Sequence, residues 1–247
     1  MVALHSAAVT AQAGSVVGLI GRNGSGKSTL FNCITGFLQP TSGEVTIDGV
    51  DITGRAPNDI VRCGVARTFQ TPRVDFRTTV REAVRGGAFT GVRSAFMAAA
   101  LGLPGARREE RELHRRCDEV IRRLDLDAWA DAEIGTLSMG RVRIVEVARA
   151  LAANAKYLLL DEPAAGISRD EQVVLAREIR KLSDSGIGVL LVEHNFSLIR
   201  LLCDRVTVLD AGKVIFQGTP GEVERDEQVL SVYLGSAADV PVMAAEH

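Results

Sequence analysis

Apolar residues in this chain follow two patterns that alternate along its length. Val16-Val17-Gly18-Leu19-Ile20, Tyr157-Leu158-Leu159-Leu160 and Gly188-Val189-Leu190-Leu191-Val192 are short, nearly unbroken apolar runs, the form taken by parallel strands buried on both faces. Between them the spacing turns helical, predicting a helix that ends near Gly36, one from about Val142 to Ala153 and one from Glu171 to Ser183. Strand, helix and strand in repetition predict an α/β core.

Other stretches carry different signals. Leu4 to Thr10 is expected as a short strand ahead of the Gln12-Ala13-Gly14 turn, and Glu44 to Gly49 alternates as a second short strand closed by a turn. Val206 to Leu209 and Val214 to Phe216 flank Asp210-Ala211-Gly212 as a terminal hairpin. From Thr79 to about Leu126 the pattern is helical, broken at Gly86-Gly87 and at Gly102-Leu103-Pro104-Gly105. Within it, Arg107 to Arg123 carries Leu113, Val120, Ile121 and Leu124 at helical spacing, and glutamates interleave its arginines. A packed helix with a solvated charged face fits this better than a nucleic-acid-binding arginine helix. The alanine-rich residues beyond Tyr233-Leu234-Gly235 read as a frayed tail.

The run at Val16 to Ile20 leads into Gly21-Arg22-Asn23-Gly24-Ser25-Gly26-Lys27-Ser28-Thr29, which fits G-x-x-x-x-G-K-[ST] over Gly21 to Ser28. Gly24 and Gly26 permit a tight loop whose N–H groups turn inward around phosphate oxygens. Lys27 adds a point charge for the β- and γ-phosphates, Ser28 offers a hydroxyl to Mg²⁺, and the following helix points its positive end at the same anion. Arg22 to Thr29 are therefore the candidate phosphate-binding residues. The run at Tyr157 ends in Asp161 and Glu162. An acid at a strand end beside a phosphate loop holds Mg²⁺ directly or through water, which is the role expected of Asp161. Glu162 follows as the group that polarises the attacking water or accepts its proton. The loop alone leaves kinase, GTPase, motor and transporter ATPase open.

Composition narrows the classes. With 247 residues and 46 % hydrophobic content the chain has ample material for a packed interior. No apolar run approaches bilayer length, and Met1-Val2-Ala3-Leu4-His5 lacks the features of a secretory signal, so a membrane role is expected to be peripheral, through a partner. A net charge of −2 gives no general attraction to nucleic acid. Cys33, Cys63, Cys117 and Cys203 lack metal-site spacing and read as reduced structural thiols.

In order, the motifs resemble those of the ATP-binding subunits of ABC transporters. Gly21 to Ser28 matches Walker A, Gln70 the Q-loop and Leu137-Ser138-Met139-Gly140-Arg141 the signature. Leu158 to Glu162 matches Walker B, Ala164-Ala165-Gly166-Ile167 the D-loop and His194 the switch histidine. Read alone, Ser138 is a helix cap, Gln70 a surface amide and His194 an edge histidine. The resemblance implies an α/β P-loop nucleotide hydrolase core with an antiparallel β subdomain and an inserted helical subdomain at about 74–150. The ATPase domain would span 1–235, with 236–247 as tail.

The resemblance further implies that Gln70 senses the nucleotide and meets the metal-bound water, and that His194 contacts the γ-phosphate and orients the attacking water. Ser28, Gln70 and Asp161 would hold Mg²⁺. Ser138 and Gly140 would reach the γ-phosphate of ATP held by an opposite subunit in a head-to-tail dimer, with an identical or different ATPase partner. Two transmembrane permease subunits are the expected partners, with a periplasmic or lipid-anchored solute-binding protein engaged indirectly, no nucleic acid, and a place on the cytoplasmic face of the inner membrane.

The nearer likeness is to ATPases of branched-chain amino-acid uptake, carried by Ala66-Arg67-Thr68-Phe69-Gln70, Val192-Glu193-His194-Asn195 and Gly218-Thr219-Pro220. Urea or amide importers are the neighbouring alternative; a soluble non-transport ABC ATPase and a regulatory nucleotide-binding module are further ones.

The chain departs from the usual signature at Met139 and Arg141. It also begins late relative to the family, with no aromatic residue before Phe31 to stack on adenine. An aromatic face contributes about 0.5–1.5 kcal/mol beyond burial, and about 1.4 kcal/mol is a factor of ten. Titration with Mg²⁺-ATP and Mg²⁺-GTP is therefore expected to give affinities within roughly tenfold of each other; a preference for ATP above about a hundredfold would reveal a specific adenine pocket.

Overall fold

Alternate residues of each apolar run fill two different cores, which is why the runs are apolar throughout. In the computed structural model, which describes residues 3–88 and 106–234, strand β1 is Val16–Ile20, all five residues buried. Val16 and Ile20 join one hydrophobic cluster, and Val17 and Leu19 the other. The same division holds in β5 (Tyr157–Asp161) and β6 (Gly188–Val192): Leu158, Leu160, Val189 and Leu191 face one side, Leu159, Leu190 and Val192 the other. Period-two side-chain alternation across a doubly covered sheet produces this split.

The sheet runs β4 (Val65–Arg67), β5, β6, β1, β7 (Arg205–Asp210), β8 (Lys213–Gly218). All neighbours are parallel except β7 and β8, the expected terminal hairpin. A separate pair, β2 (Thr46–Ile47) with β3 (Val50–Asp51), turns through Asp48 and Gly49 at φ 49° and 78°. Positive φ at both central positions is what a two-residue hairpin requires. The Asp48 carboxylate then accepts from Lys156 Nζ and the Tyr157 hydroxyl, fastening this ribbon to the start of β5.

Helices α1 (Lys27–Ile34) and α2 (Pro57–Arg62) lie on the side of Leu19, with Phe31 and Ile60 buried there. The other side receives α3 (Val80–Ala88), α4 (Ala106–Arg123), α5 (Met139–Ala152), α6 (Arg169–Asp184) and α7 (Phe196–Leu202). The spaced residues Leu113, Val120, Ile121 and Leu124 are buried in that larger cluster, together with Val142, Val145 and Ala148 of α5 and Leu160 of the sheet. Arg81 ties α3 to Asp118 of α4 and to Asp131.

Two expectations are corrected. Leu4 to Thr10 is not a strand: Ser6 makes one isolated bridge to Lys213, and the backbone N–H groups of His5 and Ser6 donate to Gly212. Its Ser6-Ala7-Ala8 stretch lacks the β-branched bulk that favours a pleated ladder. The strand expected over Glu44 to Gly49 shortens to Thr46–Ile47, because Val45 N–H instead meets the Thr53 hydroxyl at 2.8 Å. Gly102 to Gly105 and the tail 236–247 lie outside the described residues. The four cysteines are free thiols, and burial pushes the Cys203 thiol up to about 12.

Leu160 is fully buried in the middle of the sheet. Leu160→Ala is expected to cost about 2–5 kcal/mol of unfolding free energy by urea titration, the range for a leucine-sized core cavity.

Candidate nucleotide site

The strand register brings the candidate residues to one edge. Leu19 pairs with Val192, and Val192 with Asp161, so β1, β5 and β6 end at the same level. The phosphate loop, the paired acids and His194 each begin where one of these strands stops. Crevices at the carboxyl ends of parallel strands are where open α/β sheets take ligands.

Within the loop, Gly26 precedes α1 at φ 109°, in the left-handed region. A Cβ there would lie 2.8 Å from Leu4 Cδ2 and 2.9 Å from the Ala3 carbonyl oxygen, so both backbone and space require glycine. Lys27 Nζ donates to the carbonyls of Gly21 at 2.6 Å and Arg22 at 2.9 Å, which lays the ammonium across the loop. Burial lowers the Lys27 pKa, and the Glu162 and Asp161 carboxylates oppose that shift. The N–H groups of Lys27, Ser28 and Thr29, in the first turn of α1, precede the positions that can bond within the helix. Ser25 is buried with its hydroxyl unpartnered in the protein. An anionic ligand fits this donor set.

Opposite the loop, Glu162 sits at φ 46°, an unfavourable backbone conformation for a side chain this long. Its N–H donates to Val192 across the strand ends. Gln70 Nε2 donates to Glu162 Oε2 at 2.8 Å, and His194 Nδ1 lies 3.9 Å from the same oxygen. Gln70, Glu162 and His194 thus meet around one carboxylate. Asp161 is engaged by Arg67, whose Nη2 reaches Oδ2 at 2.7 Å while Nη1 donates to Asn32 Oδ1 at 2.7 Å. The Arg67 guanidinium also packs over the rings of Phe31 and Phe69.

Among the described residues no cluster of three or more His, Cys, Asp or Glu groups is arranged to cage a metal. A donor set of one carboxylate, Ser28 and Gln70 fits Mg²⁺, which takes few protein ligands and completes its shell with phosphate and water.

Ser138 and Gly140 make their contacts elsewhere. Ser138 caps α5, accepting from Arg141 N–H at 3.5 Å, and Gly140 N–H donates to Glu171 Oε1 at 3.1 Å. Glu171 also closes a capping box with Ser168 at the start of α6. Arg141, which departs from the usual signature, stacks 3.8 Å above the Trp129 ring. The helix-cap reading of Ser138 is therefore correct as a statement about this subunit alone.

Residues 4–165 match the ABC transporter family. The chain belongs to that family. It is accordingly an ATP-binding, ATP-hydrolysing transport ATPase of the ABC type. Residues 213–239 also match a second family described as branched-chain amino acid ATP-binding cassette transporter. The high-affinity branched-chain amino acid transport ATP-binding protein BraF of Pseudomonas aeruginosa is 37 % identical over 223 residues, covering 90 % of this chain and 88 % of BraF. The lipopolysaccharide export system ATP-binding protein LptB of Haemophilus influenzae is 36 % identical over 227 residues, covering 92 % and 88 %. A crystal structure of a nucleotide-free ATP-binding cassette from an ABC transporter superposes with a TM-score of 0.82 at 32 % identity, over 95 % of this chain and 93 % of that one.

Five side chains in this ABC ATPase escaped the sequence reading. Arg67 gave no local sign of its partner, since Asp161 is 94 residues away. Glu193, 1 % exposed, accepts from the N–H groups of Ala164 at 2.9 Å and His194 at 3.3 Å, although it reads as one more strand-end acid. Glu171 was visible only as the start of a helix. Arg143 and Glu146 did leave a signal: opposite charges three apart inside the apolar stretch Val142 to Ala148 mark a buried pair.

Hydrogen bonds from Ser168 N–H, the Ser138 hydroxyl and Gly140 N–H hold the Glu171 carboxyl down to about 2, below its ordinary 4.5. A depressed acid contributes stability above its ordinary pKa and loses it as pH falls through the folded value. The stability advantage of the parent over Glu171→Gln, measured by urea midpoints, is expected to shrink progressively as pH falls from about 5 through about 2.

Proposed function

We propose that this chain is the ATPase of an importer for branched-chain amino acids, working as one half of a head-to-tail dimer on the cytoplasmic face of the membrane. The convergence of Gln70 and His194 on Glu162, beside the phosphate loop, carries the catalytic part of this reading. The family match over residues 213–239 and the likeness to BraF carry the choice of solute. Likeness to LptB favours one second reading, an ATPase of an exporter.

In this reading the N–H groups of Arg22 to Thr29 and the Lys27 ammonium bind the phosphates of ATP. Ser28, Gln70 and Asp161 would hold Mg²⁺, which when bound neutralises charge developing on the phosphates. Glu162 accepts the proton of the attacking water, and His194 orients that water against the γ-phosphate. Ser138 and Gly140, at the positive end of α5, serve ATP on the partner subunit, which completes each site only on closure. Tighter binding of ATP to the closed dimer then biases the shape change that drives transport.

A groove of about 300 Å³ next to Gln70 supports docking of permease subunits there. Ile60 of α2, Phe37, Phe69, Arg73 and Arg149 of α5 line it, and the Phe37 ring is well exposed. Among the described residues no helix is long and apolar enough to cross a membrane, so such partners would supply the spans.

Glu162→Gln is expected to lower steady-state ATP turnover by about 10²-fold or more while keeping nucleotide binding. Lys27→Ala is expected instead to weaken binding, since it removes charge-assisted bonds to phosphate. In sedimentation with ATP, the Glu162→Gln protein is expected to shift toward dimer relative to its nucleotide-free form. Turnover by Glu162→Gln within about twofold of the parent would remove Glu162 from catalysis.

A further inference from the structure

Arg143 lies on α5, five positions after Ser138, with its side chain buried. Its Nη2 donates to the Gln70 carbonyl at 2.7 Å and the Ala165 carbonyl at 3.4 Å, and its Nη1 to the Phe69 carbonyl at 3.4 Å. Glu146, one turn further along α5, neutralises it at 3.1 Å. The other Glu146 oxygen accepts from Arg73 N–H at 3.0 Å, and Arg149 donates to the Arg73 carbonyl at 2.5 Å. One helix face therefore grips the backbone of Phe69 to Arg73 at both ends of that strip. It also reaches the Ala164–Ile167 turn that joins Glu162 to α6.

The ion pair by itself is a poor reason for this arrangement, because a buried ion pair is commonly no better than a matched apolar pair. A planar guanidinium does offer something an apolar side chain lacks, since its fixed fork of donors bonds several carbonyls at once in one geometry. Here the carbonyls belong to two loops that meet the reaction centre from different sides.

We propose that Arg143 is a positioning residue that locks the Gln70 strip and the Ala164–Ile167 turn to the signature helix, so that the three shift as one body when nucleotide binds. This rests on the roles given above to Gln70, Glu162 and Ser138. Arg143 touches no reacting atom and acts through the carbonyls it holds. The same face of α5 lines the proposed permease groove, through Arg149 and Glu146, so the lock also joins that groove to the signature.

The test uses the full chain carrying Arg143→Lys and, separately, the matched apolar pair Arg143→Met with Glu146→Met. Thermal midpoint, Mg²⁺-ATP affinity, kcat and KM are measured for each. Backbone amide exchange over 69–73 and 164–167 is followed with and without ATP. The Met pair leaves the Phe69, Gln70 and Ala165 carbonyls and Arg73 N–H without these partners, so it is expected to melt below the parent yet stay folded; both variants are expected to bind ATP within about twofold and keep KM, while kcat falls about tenfold or more. Exchange in 69–73 is expected still to respond to ATP while 164–167 no longer follows it.

A folded Met pair with parental kcat and a parental exchange response in 164–167 overturns the proposal. A loss of kcat that disappears as thermal stability is restored overturns it too, by reducing Arg143 to a structural role. Glu162→Gln, run alongside, separates the two levels of argument. If it retains parental turnover the catalytic reading itself fails; if it is inactive while the Met pair is fully active, only the lock fails.

Discussion

The register of three parallel strands is the constraint on which this ATPase depends. Leu19 opposite Val192, and Val192 opposite Asp161, set β1, β6 and β5 to end at one level. Burial on both faces enforces it, because a slip of one residue would exchange Leu159 with Leu158 and Leu190 with Val189 between two differently shaped cores. The phosphate loop, Asp161, Glu162, Glu193 and His194 all follow from that shared end. A local change in any one strand would move its functional residue against the others.

Charge is arranged around the same edge in opposed pairs. Asp161 is held by Arg67, Glu162 by the Gln70 amide, and both acids pull against the burial that lowers the Lys27 pKa. Glu193, the most deeply buried of these acids, has its pKa raised by burial although two backbone N–H groups point at it. Its contacts join the N–H groups of Ala164 and His194, so the Ala164–Ile167 turn and His194 share one carboxylate. Glu162 also carries backbone strain at φ 46°, a cost tolerated where the strand end is fixed on both sides.

The helical layer links this edge to the rest of the molecule through α5. At its N-terminus Ser138 and Gly140 contact α6 through Glu171; one turn later Arg143 and Glu146 grip the loops beside Gln70. Val142, Val145 and Ala148 of the same helix anchor it in the main core. A helix fixed by its apolar face and bonded through its polar one is a rigid element, the property that the proposed lock between these loops requires.

Much of this was written locally in the sequence. The apolar runs gave the central strands, the glycines and Lys27 gave the phosphate loop, and Asp161-Glu162 at a strand end gave the acids, because strand burial and loop geometry depend on neighbours only a few residues away. Leu4 to Thr10 and Glu44 to Gly49 were harder: short segments form strands only if a partner edge accepts them, and the Gly212 carbonyl and the Thr53 hydroxyl took their hydrogen bonds in other ways. Arg67 with Asp161, Glu193 with Ala164 and Arg143 with Gln70 were decided only by the tertiary structure. Their partners lie 94, 29 and 73 residues apart, and an ion pair or carbonyl contact over such a span leaves no periodicity in the chain. It exists only once the sheet has brought the strand ends together.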